Sequence, residues 1–124
     1  MSLTSLLTIL GSVVATALAQ VCMKLASTSF SGSRQDPGYS LAVSLFHQIL
    51  HPLSLLAIAA YGLSLVLWLL ALRDVPLSVA YPFAGLTLAL VAVLGVSILD
   101  EPLTTSKIVG VTTIVLGVIV LARQ

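Results

Sequence analysis

Four stretches of this chain run for about twenty residues with almost no charge, and polar connections of uneven length separate them. Their approximate bounds are Leu3–Leu25, Pro52–Leu72, Pro76–Leu99 and Ser106–Ala122. Each is of the order needed to cross a hydrocarbon core, roughly 20 residues. Backbone polar groups find no water in lipid, so each stretch must satisfy its own hydrogen bonds as a helix; barrel strands would be shorter and would alternate polar with apolar residues. The composition agrees. Of 124 residues 59% are hydrophobic and 7% charged, with a mean hydropathy of +1.19. That charge content is too low to cover the surface of a soluble domain. The expected fold is all-α: one polytopic domain over residues 1–124 with four transmembrane helices. A net charge of +1 leaves no footprint for nucleic acid. The N-terminus has no positive n-region with a small-residue cleavage site, so no signal peptide is read. Cys22, the only cysteine, lies in an apolar run and has no partner for an intramolecular disulfide.

The connections carry their own signals. Arg73-Asp74-Val75 before Pro76 is a tight link that makes the second and third spans a hairpin, and Asp100–Thr105 supplies a proline and hydroxyls to end one helix and cap the next. Ser27–Tyr39, with Gly32, Pro37 and Gly38, reads as loop. Ser40–His51 places Ser40, Ser44, His47, Gln48 and His51 on one helical face and Leu41, Leu45, Phe46, Ile49 and Leu50 on the other. Two readings fit it equally: a short amphipathic helix in the membrane interface, or an extension of the second span kinked at Pro52. His47 and His51 have a metal-compatible spacing but no third ligand, so no metal is expected. Four spans put both termini on one side. Lys24, Arg34 and Lys107 then oppose Arg73 and Arg123, a bias too small to set orientation.

Within the first span Thr8, Ser12, Thr16, Gln20 and Lys24 recur every four residues. Each lies about 40° around from the last, so the row is a slowly drifting polar stripe. Thr8 and Ser12 read as small residues for helix packing. Lys24 sits about 30 Å along the helix from Leu3, at the membrane boundary, where a lysine snorkels at small cost. Gln20, one turn deeper, needs a partner for its amide, and together the two suggest a polar vestibule able to hold a phosphate-bearing headgroup. Trp68, near the end of the second span, has the position of an interface anchor. Pro82 cannot donate to the Ser78 carbonyl and should kink the third span beside the hydroxyl of Tyr81. Asp100-Glu101-Pro102 is the acidic cluster, placed to pair with Lys107 or Lys24. Gly110, Thr113 and Gly117 form a small-residue ridge suited to a dimer interface. Gln20, Lys24 and Tyr81, with Thr16, Trp68 and Glu101, make up the candidate substrate-binding set. No nucleophile–base pair, acidic dyad, metal set or cofactor motif is visible, so no enzyme is expected.

The order of these motifs resembles the drug/metabolite transporter superfamily: Leu67–Leu72 (LWLLAL), Val75–Pro82 (VPLSVAYP), Asp100–Thr104 (DEPLT) and the glycine-spaced last helix. Two groups of short four-helix proteins compete within it. The small multidrug resistance family exchanges protons for cationic drugs through a carboxylate in the first helix, in dimers that are often antiparallel. Aligned on Met23-Lys24, that carboxylate would fall eight residues before Lys24, where this chain has Thr16. That family's tryptophan, three residues after the third-span tyrosine, is replaced by Ala84. With no acid inside any span, proton-coupled export does not carry over. Subunits of the flippase for undecaprenyl-phosphate-linked aminoarabinose are more similar. Their AxAQxCxK pattern is met by Ala17, Ala19, Gln20, Cys22 and Lys24, and they share the Leu-Trp-Leu-Leu run, the Ala-Tyr-Pro step and a Glu-Pro after the third span.

This resemblance implies a bacterial inner-membrane protein that moves a polyprenyl-phosphate-linked sugar, or a similar anionic lipid, between leaflets. It would act as a homodimer or beside a related subunit. Two alternatives stand next to it: a small-solute or cation exporter of the multidrug type, and a non-transporting membrane subunit or scaffold.

Overall fold

The computed structural model describes residues 2–30 and 40–123, and every regular element among them is helical. There are five: α1 (Leu3–Phe30), α2 (Leu41–Leu50), α3 (Pro52–Asp74), α4 (Leu77–Leu99) and α5 (Thr105–Ala122). By length and composition α1, α3 and α4 are each sufficient to cross a membrane. α5 is a shorter apolar helix of 18 residues, about 27 Å long.

Several boundaries differ from the sequence reading, each for a local reason. α1 runs past Leu25 to Phe30, so Ser27–Phe30 is helix, not loop. Its polar end is held by hydroxyls that bond back to the helix: Thr28 Oγ1 and Ser29 Oγ both donate to the Leu25 carbonyl, at 2.9 and 3.0 Å. The remainder of the expected loop, including Arg34, lies outside the described residues. α3 extends through Asp74, and Pro76 caps α4 from outside rather than opening its first turn, its carbonyl accepting from Val79 and Ala80. α4 continues through Pro82.

Ser40–His51 resolves into a separate helix, not a kinked extension. Ser40 caps α2, its Oγ accepting from the Val43 amide at 3.3 Å. The break falls at His51, which takes an extended backbone (φ −61°, ψ 139°) before Pro52, the conformation that proline imposes on the residue preceding it. The His51 Nδ1 then accepts from the Leu53 amide as N-cap of α3, while His47 Nδ1 bonds the Val43 carbonyl. Both histidines are thus engaged with backbone. No residue of α2 is buried, and Leu41, Leu45, Phe46 and Ile49 are all exposed. Its apolar face is left uncovered by the described residues.

α1 is the most buried of the long helices and packs against both α3 and α4, whereas α3 and α4 touch each other only slightly. α5 packs on α4 alone among the described helices. The α1–α3 seam is spaced 3 and 4 residues apart on both sides. On α3 it comprises Ser54, Ala57, Tyr61, Ser64, Trp68 and Ala71; on α1 it includes Ser5, Ile9, Ser12, Thr16, Ala19 and Ala26. That is the period of a left-handed helix pair. Small residues dominate it, which lets the backbones approach, the usual basis of helix association in lipid. Ile9, Ala71, Val75, Ala80 and Phe83 form an apolar core between α1, α3 and α4, which Val118 of α5 extends.

One hydroxyl ties the seam. Ser64 Oγ donates to the Ser12 carbonyl at 3.0 Å, and the Ser12 and Thr16 hydroxyls both lie within hydrogen-bond reach of it. Its single proton is spent on the carbonyl, so Thr16 Oγ1 donates to Ser64. Among the described residues no buried side-chain nitrogen or oxygen lacks a partner.

Two expectations follow. Ser64→Ala removes the donor to the Ser12 carbonyl and should cost about 1 kcal/mol, the scale of interhelical hydrogen bonds in membranes. Ser12→Ala keeps that backbone bond and should cost clearly less; unfolding midpoints in mild detergent compare the two. A Phe46→Trp reporter in a Trp68→Phe background should be quenched most strongly by lipids brominated near the headgroup end of the acyl chain. Quenching that peaks at the bilayer centre would contradict an interfacial α2.

Candidate functional site

A stripe with a four-residue repeat on a helix of 3.6 residues per turn cannot stay on one face. Between Ser12 and Gln20 it advances about 80°, and the neighbours of α1 divide it accordingly. Thr8, at the start, is closed on itself, its Oγ1 donating to the Thr4 and Ser5 carbonyls. Ser12 and Thr16 face α3 and are bound to Ser64. Gln20 and Lys24 have rotated out of that seam towards α4.

Two clefts result, at successive levels along α1 and α4. The first is about 430 Å³ and opens where α3 and α4 diverge above their link, with Ser12 and Thr16 of α1 as its floor. Tyr61, Ser64 and Trp68 form one wall, and Tyr81 and Thr87 belong to the other. Trp68 meets Tyr81 edge to face, with ring centroids 6.4 Å apart and planes at 72°, an arrangement aromatic pairs favour. Trp68 also packs against the apolar core, so it builds the cleft wall. Tyr81 is largely exposed.

The second cleft, about 180 Å³, is bounded by Gln20, Val21 and Lys24 on α1, by Val91, Gly95 and Leu99 on α4, and by Glu101. Glu101 reaches it because α4 ends in a sharp reversal. Asp100 takes a left-handed backbone (φ 51°), and the Glu101 amide donates to the Gly95 carbonyl at 3.1 Å. This folds the Glu101 carboxylate across Gly95, where a β-carbon would lie 3.1 Å from Oε2. A side chain at this position would require the carboxylate to shift by a few tenths of an ångström. Of the two pairings expected for Glu101, the structure has the one with Lys107, whose Nζ lies 3.1 Å from Oε2. Both side chains are about one-third exposed, so the pair contributes little stability by itself. Its consequence is local. Lys107 offsets the carboxylate, and Lys24, exposed and without an ion-pair partner among the described residues, is left as the cleft's cation outside any salt bridge.

The six residues singled out from the sequence therefore fall into two groups: Thr16, Trp68 and Tyr81 around the first cleft, Gln20, Lys24 and Glu101 around the second. Ser64, Tyr61 and Thr87 escaped that reading. The signal for two of them was present, since Tyr61, Ser64 and Trp68 share one seam of α3 at spacings of three and four. Thr87 carried no comparable mark. Gly110, Thr113 and Gly117 are exposed on α5. A β-carbon at either glycine would meet nothing within 4 Å, and Thr113 Oγ1 bonds back to the Val109 carbonyl.

Comparison with known proteins gives this geometry a context. Residues 38–123 match the EamA-like transporter family. The chain is 40% identical over 117 residues to a protein of Aeromonas salmonicida named "Probable 4-amino-4-deoxy-L-arabinose-phosphoundecaprenol flippase subunit ArnF", a match covering 90% of this chain and 74% of that protein. A Pseudomonas fluorescens protein of the same name is 52% identical over 65 residues, 51% of this chain and 47% of its own length. A subunit named ArnE in Pseudomonas savastanoi is 39% identical over 69 residues, 56% of this chain and 60% of its own. No solved structure matches the chain. A family match across more than two-thirds of the sequence, with a 40% identical relative aligned over 90% of the chain, makes the chain a member of the EamA-like transporter family, akin to the ArnF flippase subunits.

Proposed function

We propose that this protein is a non-enzymatic membrane translocator that carries a polyprenyl-phosphate-linked sugar, or a closely similar anionic lipid, between the leaflets of a bacterial inner membrane. The observation that carries the reading is Lys24: a cation without an ion-pair partner among the described residues, in a cleft with the amide of Gln20, in a chain whose relatives are named flippase subunits. α5, at about 27 Å, is within a turn of the roughly 30 Å core and serves as the fourth span.

The barrier to moving such a lipid is its headgroup, because a phosphate or sugar hydroxyl entering hydrocarbon loses its hydrogen bonds to water. Lys24 receives the phosphate at the boundary, and the Gln20 amide takes a second oxygen. One turn further along α1, Tyr81 offers its hydroxyl to the sugar from the larger cleft, where Thr16 Oγ1, its proton given to Ser64, serves as an acceptor. Ser64 is already engaged and works as a structural clamp that holds Thr16 in place. Glu101 keeps Lys107 turned towards itself, so the phosphate meets Lys24 first. The hydrocarbon chain stays in the bilayer throughout. The open ridge of Gly110, Thr113 and Gly117 provides the contact for a second copy or for a related subunit, the arrangement that relatives named ArnF and ArnE suggest.

Lys24→Ala should slow headgroup transfer at least about tenfold in proteoliposomes carrying a fluorescent polyprenyl-phosphate sugar, since a hydrogen bond to a charged group is worth about 1.5–3 kcal/mol. Lys24→Arg should retain most of the rate. Unchanged transfer in Lys24→Ala would remove Lys24 from the mechanism. Resistance to quaternary ammonium compounds conferred by the wild-type chain would point to drug export instead.

A further inference from the structure

On the next stripe of α4, between α4 and α5, lies a groove of about 300 Å³ whose walls include Ala92, Val93, Val96, Ile108 and Val111, with Lys107 at one end. We propose that this groove seats the first part of the hydrocarbon chain of the same polyprenyl-phosphate lipid whose phosphate is held at Lys24. The inference rests on the translocator reading and adds a second subsite to it.

The chemistry of the walls selects a hydrocarbon. Two hydroxyls border the groove, and both are spent on their own helices. Ser97 Oγ donates to the Val93 carbonyl and Thr112 Oγ1 to the Ile108 carbonyl, each at 2.8 Å. Their protons are used, so a sugar would find poor donors here and a methylated chain would lose nothing. The stretch from Ala92 to Ser97 rises about 8 Å, enough for the chain nearest the headgroup, with the remainder free in the bilayer.

Charge and continuity identify which lipid. The groove and the Lys24 cleft occupy adjacent stripes of α4: Val91, Gly95 and Leu99 line the cleft, Ala92, Val93 and Val96 the groove. One residue along a helix turns about 100°, so both open beside the C-terminal end of α4. The Glu101–Lys107 pair stands between them, the carboxylate lining the cleft and the ammonium ending the groove. A phosphate held at Lys24 has Lys107, tied to Glu101, as the next cation along, with the apolar groove leading away from it. A second copy of the chain is the poorer occupant, because the Gly110–Gly117 ridge available to it projects from the opposite flank of α5, by the same 100° advance.

The test places a photoreactive benzoylphenylalanine at Val96, or at the exposed Leu63 of α3 as control, in the full chain reconstituted in phosphatidylglycerol-containing nanodiscs with tritiated undecaprenyl phosphate. Labelling at position 96 should exceed that at 63 at least fivefold, fall severalfold with Lys107→Ala, and resist a tenfold excess of phosphatidylglycerol. Equal labelling at the two positions, displacement by phosphatidylglycerol, or cross-linking of two protein copies through position 96 would each overturn the groove assignment. Should the cross-linker variants misfold, Ala92→Phe with native mass spectrometry replaces them. Reduced retention of undecaprenyl phosphate supports the groove; undiminished retention overturns it. If Lys24→Ala slows transfer while labelling shows no preference for position 96, the groove fails and the translocator reading stands. If labelling favours position 96 but Lys24→Ala leaves transfer unchanged, the Lys24 site fails and the groove stands as a lipid site of its own.

Discussion

A helix that turns 100° per residue carries a polar residue forward by only 40° when the next follows four positions later. That small advance organises this protein. It lets one continuous series on α1 serve two neighbours in turn, its middle knotted to α3 through Ser64 and its end delivered to α4. Had the repeat followed the alternating three and four of the α1–α3 seam, every polar residue would have been consumed in helix packing. Had it run faster, Gln20 and Lys24 would have faced lipid. The polar surface that reaches the bundle's edge is what a strict seam leaves over.

Around α1 the other helices are arranged by what lipid forbids. Each polar group at depth must be satisfied within the chain, and the hydroxyls of Thr8, Ser97, Thr112 and Thr113 are satisfied on their own helices. Such groups do not report where a substrate goes. Lys24, Gln20 and Tyr81 retain hydrogen-bonding capacity beside the two clefts, which is why the proposed translocation path runs past them. The close turn after α4 adds to this. With a glycine at 95 and a left-handed residue at 100, the chain folds a carboxylate over the helix end and supplies Lys107 with a counter-ion.

Much of this was legible in the residues. The long apolar helices follow from length and charge content, and the stripe from its own period. The break at His51 was one of two open readings, settled by the backbone that proline imposes on the residue before it. The end of α1 was misjudged because polar residues look like loop, although threonine and serine extend a helix well once their hydroxyls turn back to it. The division of the site into two clefts was harder to foresee. It depends on which helix stands on each side of α1, and apolar helices of similar composition do not declare their neighbours. For the same reason the sequence does not single out Ser64, whose partners make it the clamp of the bundle.

The attachment of α5 has a further consequence. Of the four long helices it alone is docked on a single neighbour and has the fewest contacts to lose, and proteins open first along such units. Amide exchange in α5 should therefore run ahead of that in α1, and the α4–α5 groove should breathe on a timescale on which the rest of the bundle is still. The Glu101–Lys107 pair, at the root of α5, is then a hinge-side tie on the least protected of the four long helices. In a translocator that asymmetry divides the labour, with a stiff interior for the headgroup and a yielding flank through which a long hydrocarbon can enter sideways and leave again.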